Sequence, residues 1–231
     1  MNKKLAFLVI LLIASPTFAA DQASSSLPKW GGVYAGGNLG YAKTDSSFTH
    51  LEGAATSGER FSNNPSGVLG GAQVGMRFNV DKDVYLGIEA AYTSRNKSNQ
   101  TLTNLNNIPR YRSSDVGNIL SISGSVGHSF GSYLAYAKAG YARSEIDYKN
   151  IRVSTNAILG QSTTKVGGGV IGAGIEYSMT QNISLGLEYN YYKFNVGNQV
   201  QLTTAGAAAG ATNSDNDLTS HAVSARVNYR F

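Results

Sequence analysis

The sequence contains no cysteine, which excludes disulfide bonds and lipid attachment through a thiol. Only 14% of the residues are charged, and the basic ones are scattered along the chain. They form no dense stripe that could follow a phosphate backbone, so nucleic acid is excluded as a partner. Beyond the N-terminal segment, no apolar run has the length of a transmembrane helix. With 27 glycines and 14 tyrosines, the composition is instead typical of an antiparallel β protein with many turns.

The start of the chain follows the plan of a secretory signal peptide. Two lysines precede an apolar run from Leu5 to Ile13, which is about half as long as a membrane-spanning helix. Cleavage after Ala19 places small residues at both positions that the cleaving enzyme reads. We therefore expect a signal peptide at residues 1–19 and a polar linker at residues 20–29. An uncleaved anchor helix is the alternative.

Alternation of apolar and polar residues predicts eight strands after this linker. Their expected bounds are Trp30–Lys43, Gly67–Asn79, Asp83–Arg95, Asp115–Phe130, Ser132–Glu145, Lys165–Met179, Gln181–Asn195 and Leu218–Phe231. Tight joins such as NVDKD and SMTQN alternate with four long segments rich in Asn, Ser, Thr and Gly. Short turns at one end of the sheet and long loops at the other are typical of a bacterial outer-membrane barrel.

Alternation alone leaves open which face points inward, because a soluble lipocalin-type barrel would hide its apolar face. The polar face is mostly Gly, Ser and Ala around isolated charges, as at Gly172, Gly174 and Glu176, which suits a narrow interior. The aromatic residues of the apolar face fall into two groups, near the short turns at Phe78, Phe130, Tyr133, Tyr177, Tyr229 and Phe231, and near the long loops at Tyr41, Tyr92, Tyr141, Tyr189 and Tyr191. Two such aromatic rings mark the two interfaces of a membrane.

The sequence therefore predicts an all-β, eight-stranded, antiparallel up-and-down transmembrane barrel over residues 30–231, with short periplasmic turns and four long extracellular loops. The last strand carries Arg226 and Arg230 on one face and apolar residues on the other. We expect it to pair with the first strand, because a barrel in lipid has no open edge. Phe231 then falls in the periplasmic aromatic ring.

Four segments resemble a known family: WGGVYAGGNLGYA at Trp30–Ala42, YAKAGYA at Tyr136–Ala142, GAGIEYSM at Gly172–Met179 and VNYRF at the C-terminus. They resemble small outer-membrane β-barrel proteins, the OmpA-like and Opa-like porin-opacity group. The resemblance implies location in the outer membrane of a Gram-negative bacterium. It also implies that the outer-membrane assembly machinery reads the last strand through Tyr229 and Phe231. Because the group includes surface antigens, weak porins and haem binders, the activity stays open.

Histidine, the usual base of barrel enzymes, offers no catalytic pair here. His128 and Ser129 are adjacent, and His221 and Ser224 are three apart, so each pair points to opposite faces of its strand. No nucleophile and base share a face. We therefore expect no enzymatic activity, no metal site and no cofactor. Haemin ligation by His50 or His221 is an alternative to their being ordinary loop or rim residues.

Six charged residues are expected to face the barrel interior by parity: Arg77, Glu89, Lys138, Glu176, Glu188 and Arg226. Acids and bases occur on neighbouring strands, which favours mutual pairing. Such a lumen charge cluster either fills and stabilises the barrel or forms an ion path or gate.

The second long loop carries an excess of positive charge, from Arg95, Lys97, Arg110 and Arg112 against Asp115. These cations are expected to form a contact surface for anions, strongest at low salt. Their partner is either the lipopolysaccharide around the barrel or an anionic host glycan. The function favoured by the sequence is a non-enzymatic outer-membrane surface protein with a structural and host-interaction role. A small porin-like channel and a haemin-binding receptor are the alternatives.

Deleting Phe231 is expected to block assembly, because the resemblance makes the terminal aromatic residue part of the assembly signal. The truncated chain should accumulate as unfolded, protease-sensitive protein in the periplasm. Fractionation and protease digestion of expressing cells measure this outcome. Normal outer-membrane amounts of the truncated chain would contradict it.

Overall fold

A computed structural model describes residues 30–51, 60–63, 66–95, 101–105, 108–152, 158–195, 212–214 and 217–231. Within these ranges there are eleven strands, at Gly32–Leu51 (β1), Arg60–Asn63 (β2), Ser66–Asn79 (β3), Val84–Arg95 (β4), Thr101–Leu105 (β5), Ile108–Phe130 (β6), Tyr133–Arg152 (β7), Ile158–Ser178 (β8), Ile183–Asn195 (β9), Thr212–Ser214 (β10) and Asp217–Arg230 (β11). Over these ranges the chain has no helix with the length and apolarity to cross a membrane. The expected signal peptide and linker lie outside the described residues.

Eight of the strands form a closed antiparallel barrel, in the order β1, β3, β4, β6, β7, β8, β9 and β11. The last strand pairs with the first, and the register places Arg230 opposite Tyr34 and Leu218 opposite Ser46. On its other side, β1 pairs with β3. Every strand of the wall therefore has two hydrogen-bonded neighbours. The prediction of an eight-stranded barrel closed by its last strand is confirmed.

Tight connections join the strands at one end of the barrel, which is called the turn end below. They span residues 80–83, 131–132 and 179–182. The shortest contains Gly131, whose φ of 62° is a left-handed conformation that glycine adopts without steric cost. The longer connections lie at the opposite end, called the loop end. The sorting of short and long connections matches the prediction.

Several strands continue past their expected bounds at the loop end. β1 runs to Leu51 and pairs there with β2 and β10, while β6, β7 and β8 pair with one another beyond the barrel. Much of the second and third predicted loops is therefore antiparallel sheet. The alternation of apolar and polar residues does not predict these extensions, because segments rich in Asn, Ser and Thr lack an apolar residue at every second position. A register shift between Val116 and Ile119 marks an extra residue in β6. The paired strand ends beyond this shift, residues 108–116 of β6, 146–152 of β7 and 158–164 of β8, are called the upper sheet below.

The outer wall of the barrel is apolar and exposed. Leu39, Ile122 and Ile171 are each more than half exposed, and the same holds for most large apolar residues of this face. Such a wall far exceeds the apolar patch that a water-soluble protein tolerates. At the turn end, Tyr229 contacts Phe231 edge-on at 5.2 Å between ring centroids. The predicted direction of the two faces is confirmed.

The interior contains two groups of apolar side chains that sequence analysis did not anticipate. Trp30, Tyr85 and Leu134 pack together at the turn end. At the loop end, an apolar layer fills the interior, formed by Ala42, Leu69, Ile119, Ala142, Val166, Val170, Tyr192, Phe194, Leu218 and Ala222. The charged side chains lie between these two groups.

Candidate functional site

Four buried charged side chains meet at the centre of the barrel and are called the central charge network: Glu89, Lys138, Glu188 and Arg226. Lys138 Nζ lies 3.2 Å from Glu89 Oε1 and 2.8 Å from Glu188 Oε1. The Arg226 guanidinium forms ion pairs with the same two carboxylates. Each side chain comes from a different strand, so the network joins β4, β7, β9 and β11 across the lumen. Two positive and two negative charges cancel within it.

Two tyrosine hydroxyls also donate hydrogen bonds to these carboxylates. Tyr34 donates to Glu89 Oε2 over 2.8 Å, and Tyr136 donates to Glu188 Oε2 over 2.6 Å. Glycines opposite the tyrosines leave room for the rings. A Cβ at Gly75 or at Gly174 would come within 2.5 Å of the ring or hydroxyl of the tyrosine that covers it. The absence of side chains there lets both rings lie against the wall and reach the network.

The other two predicted lumen charges form a separate pair nearer the turn end. Arg77 Nη2 lies 2.6 Å from Glu176 Oε1, and Ser184 donates a hydrogen bond of 3.0 Å to Glu176 Oε2. The Arg77 guanidinium also stacks over the Tyr34 ring at 4.3 Å, which favours a cation through the ring quadrupole. The structure thus places all six predicted lumen charges inside the barrel, as one network of four and one pair.

Above the central charge network, the lumen passes from polar to apolar. Beside the network, amide side chains join β1, β3 and β11, since Gln73 accepts a hydrogen bond from Asn38 and donates one to Asn228, each over 2.8 Å. A cavity of about 20 Å³ lies between the network and the apolar layer, enough for a single water. The apolar layer closes the space above, where Phe194 is fully buried and stacks on Tyr192 with centroids 6.0 Å apart.

The sequence prediction does not include the apolar layer, although the alternation of inward and outward residues along each strand indicates it. Val166, Val170 and Phe194 occupy positions on the face that the sequence predicts to be small and polar. Their inward position follows from the same alternation that located the charges. The layer matters for function because it lies between the loop end and the charged interior.

Two of the three histidines have described side chains, and both lie on the outer wall. His221 Nδ1 is 2.7 Å from the Tyr189 hydroxyl, and its ring packs against Tyr191. His128 contacts the Phe130 ring at 4.6 Å. The side chain of His50 lies outside the described residues.

The predicted anionic contact residues occupy different places. Arg95 donates hydrogen bonds to Thr44 Oγ1 over 2.6 Å and to the Ala42 carbonyl, so it is held at the barrel mouth against β1. Lys97 lies outside the described residues. For Arg110 and Arg112 the backbone is described, and it places both in the part of β6 that extends beyond the barrel.

The two residues of the predicted assembly signal lie on the outer wall at the turn end. Tyr229 and Phe231 are both about half exposed there. The Phe231 backbone N–H donates to the Val33 carbonyl over 3.0 Å, which ties the end of the chain to β1. Their part in assembly stays a prediction.

Comparison with known proteins gives one family and several similar folds. A family model described as outer membrane protein beta-barrel domain matches residues 5–231. The outer membrane protein OprG from Pseudomonas aeruginosa is 10% identical with a TM-score of 0.53, over 87% of this chain and 97% of that one. Neisserial surface protein A (NspA) is 16% identical with a TM-score of 0.45, over 86% and 97%. Ail, the attachment invasion locus protein of Yersinia pestis, is 14% identical with a TM-score of 0.43, over 87% and 99%.

The likeness to OprG shows a shared fold, since an identity of 10% carries no information about a shared ligand. The search of curated proteins finds no match.

Replacing both Glu89 and Glu188 with alanine is expected to lower the unfolding temperature. The change leaves Lys138 and Arg226 buried without carboxylates, and breaking a buried ion pair costs about 3–5 kcal/mol. Loss of circular dichroism on heating, or the heat-dependent shift of the folded band on gels, measures the effect. A variant that also carries Lys138→Met and Arg226→Met serves as control and should recover much of the loss. Equal unfolding temperatures for the wild type and the alanine variant would contradict a stabilising role.

Proposed function

The chain belongs to the outer membrane protein beta-barrel domain family, and from this premise we propose that it acts at the cell surface through the extracellular ends of its strands. The tight turns face the periplasm and the long connections face the outside. The proposed role is non-enzymatic and consists of binding anionic groups at the bacterial surface. The barrel itself serves as the membrane anchor.

The filling of the lumen supports an anchor rather than a channel. Eight strands enclose an interior just wide enough for side chains. Here that interior holds a charge-balanced network, amide hydrogen bonds and the apolar layer, with a cavity of about 20 Å³ between them. An ion crossing the barrel would have to break buried ion pairs and also enter an apolar section, and both steps are costly.

The observation that carries the proposal is the strand register above the barrel. Arg110 of β6 is paired with Arg152 of β7, and Arg112 is paired with Asn150. Because cross-strand partners share a face of the sheet, the three arginines fall on one face of the upper sheet. A face that carries several cationic residues attracts anions, which supports a ligand with phosphate, sulfate or carboxylate groups.

The double variant Arg110→Ser, Arg112→Ser is expected to weaken binding of the reconstituted barrel to heparin by roughly fivefold or more at low ionic strength. This corresponds to about 1 kcal/mol for two exposed ion pairs. The change lies outside the barrel, so the unfolding temperature should stay the same. Binding to immobilised heparin at several salt concentrations measures the effect, which should shrink as salt rises.

The matched control for this experiment is Lys82→Ser, Lys149→Ser, which removes the same amount of charge elsewhere. Lys149 is paired with Ser113 and Gln161 and falls on the other face of the upper sheet. Lys82 lies in a periplasmic turn. The proposal is wrong if both double variants lose affinity equally, or if the arginine variant binds like wild type at low salt.

A small channel is the second candidate, because charged side chains do line the lumen. We expect the purified wild-type barrel to show no steady porin-sized conductance in planar bilayers, since the apolar layer and the central charge network close the same passage. Phe194→Ser, which makes the apolar layer polar, is expected to increase brief openings while the ion pairs still prevent a steady current. A steady, porin-sized current through wild-type monomers would instead establish the channel function.

The haemin-binding alternative rests on His50 and stays a prediction. Haemin titration of wild-type protein and of His50→Ala, followed by the Soret absorbance, tests it directly.

A further inference from the structure

A tryptophan lies across the lumen at the turn end of the barrel. Trp30 is 1% exposed and packs against Tyr85 of β4 and Leu134 of β7. It comes two residues before the start of β1 along the chain. In the order of the strands around the barrel, β7 is opposite β1. The indole of Trp30 therefore reaches from one wall of the lumen to the other.

Two arginines border the Trp30 ring, one from each neighbour of β1. The ring centroid lies 5.9 Å from Arg77 Cζ of β3 and 5.5 Å from Arg230 Cζ of β11. At these distances a guanidinium is attracted to the face of an aromatic ring. Arg230 also donates a hydrogen bond to the Gln181 carbonyl, in the turn between β8 and β9. The ring is thus held by side chains of β3, β4, β7 and β11, and its contact with Arg230 bridges the seam at which the barrel closes.

The backbone at Gly32 sets the point at which Trp30 enters the lumen. The pairing of β1 with β3 ends there, with Gly32 opposite Arg77. Gly32 has a φ of 120°, a conformation that residues with a side chain rarely adopt. A Cβ at this position would make only ordinary contacts, the nearest at 3.7 Å. Backbone conformation, and not lack of space, is therefore what requires glycine just before the chain reaches Trp30.

The Trp30 ring lies between the turn end and the buried ion pair of Arg77 and Glu176. The Arg77 guanidinium contacts Tyr34 on one ring and Trp30 on another, at 4.3 and 5.9 Å from the centroids. Glu176, its partner, is fully buried. An ion pair is stronger where water is excluded, because the local dielectric constant is low. Water that entered past Trp30 would weaken this pair.

The indole N–H of Trp30 has no hydrogen-bond partner among the described residues. A buried donor without a partner costs free energy, so a residue that served the polar interior through hydrogen bonds would be expected to use it. What the described contacts of Trp30 supply instead is the bulk of the ring and its stacking against two cations. This favours a side chain that fills and closes a space.

We propose that Trp30, positioned by the turn at Gly32, is a plug that closes the periplasmic end of the lumen and keeps water from the Arg77 and Glu176 pair. The apolar layer fills the lumen at the loop end. The charged interior is then a compartment closed on both sides. The plug lies at the end of the barrel opposite the upper sheet and does not depend on the proposed binding of anions there.

The test uses the absence of cysteine from the chain, since a single introduced thiol then reports on its own surroundings. Ser184 is buried and bonds to Glu176, so Ser184→Cys reports on the space behind Trp30. In nanodiscs, a charged, membrane-impermeant methanethiosulfonate reagent should label this thiol slowly. Adding Trp30→Ala should speed the labelling by about tenfold or more, because the reagent no longer waits for a local opening. Mass spectrometry of the intact, folded protein measures the rate.

Two controls separate an opened end from a loosened barrel. Phe78→Ala removes an exposed aromatic ring from the outer wall at the turn end and should leave labelling at Ser184→Cys slow. Ser121→Cys lies by the cavity beyond the central charge network and should stay slow even with Trp30→Ala. The proposal is wrong if Trp30→Ala leaves the labelling rate at residue 184 unchanged, if it speeds labelling equally at residue 121, or if Phe78→Ala has the same effect.

A second variant keeps the indole and changes only the backbone before β1. Gly32→Ala strains the positive φ and should move the ring, which shifts its fluorescence emission to longer wavelength and speeds labelling at Ser184→Cys. Trp30 is the only tryptophan, so the emission reports on this ring alone. Gly37→Ala is the matched control on β1, because a Cβ there would make an ordinary contact at 3.6 Å and the φ is not positive. Equal effects of the two alanines would overturn the part assigned to Gly32, and a shifted emission with slow labelling would overturn the plug.

Discussion

The constraint on which the whole structure depends is that backbone N–H and C=O groups in an apolar solvent must bond to each other. Eight strands meet it by closing the sheet, with β11 paired to β1. Closure fixes the alternation of every strand, with apolar residues toward lipid and the other parity toward a narrow interior. The exposed wall and the buried charges are thus two consequences of one requirement.

A narrow interior in turn restricts which charges it can hold. A buried ion is tolerated only if partners replace its lost hydration. Here Lys138 and Arg226 each bond to the same two carboxylates, and Tyr34 and Tyr136 donate further hydrogen bonds to them. The glycines opposite these tyrosines belong to the same arrangement, because a side chain there would push the rings out of reach. The lumen is therefore a packed polar core that ties distant strands together.

Because the lumen is filled, the proposed function lies at the outer surfaces of the barrel. One of them is the upper sheet, where the register pairs Arg110 of β6 with Arg152 of β7. Family membership places the outer surfaces of the barrel at the outer membrane. The fold is shared with distantly related barrels and identifies no ligand, so the ligand depends on the side chains that each surface carries.

The sequence alone determined the fold, the direction of the faces and the six inward charges, since the period of two in a strand is a local property that closure only enforces. Tertiary structure decided which charges meet, because Glu89 and Arg226 are brought together by the curvature of the wall and not by their spacing along the chain. It also decided the pairing of Arg110 with Arg152. That pairing depends on strand register and on an extension in a polar segment, where alternation carries no signal and only hydrogen bonding between strands sets the partners.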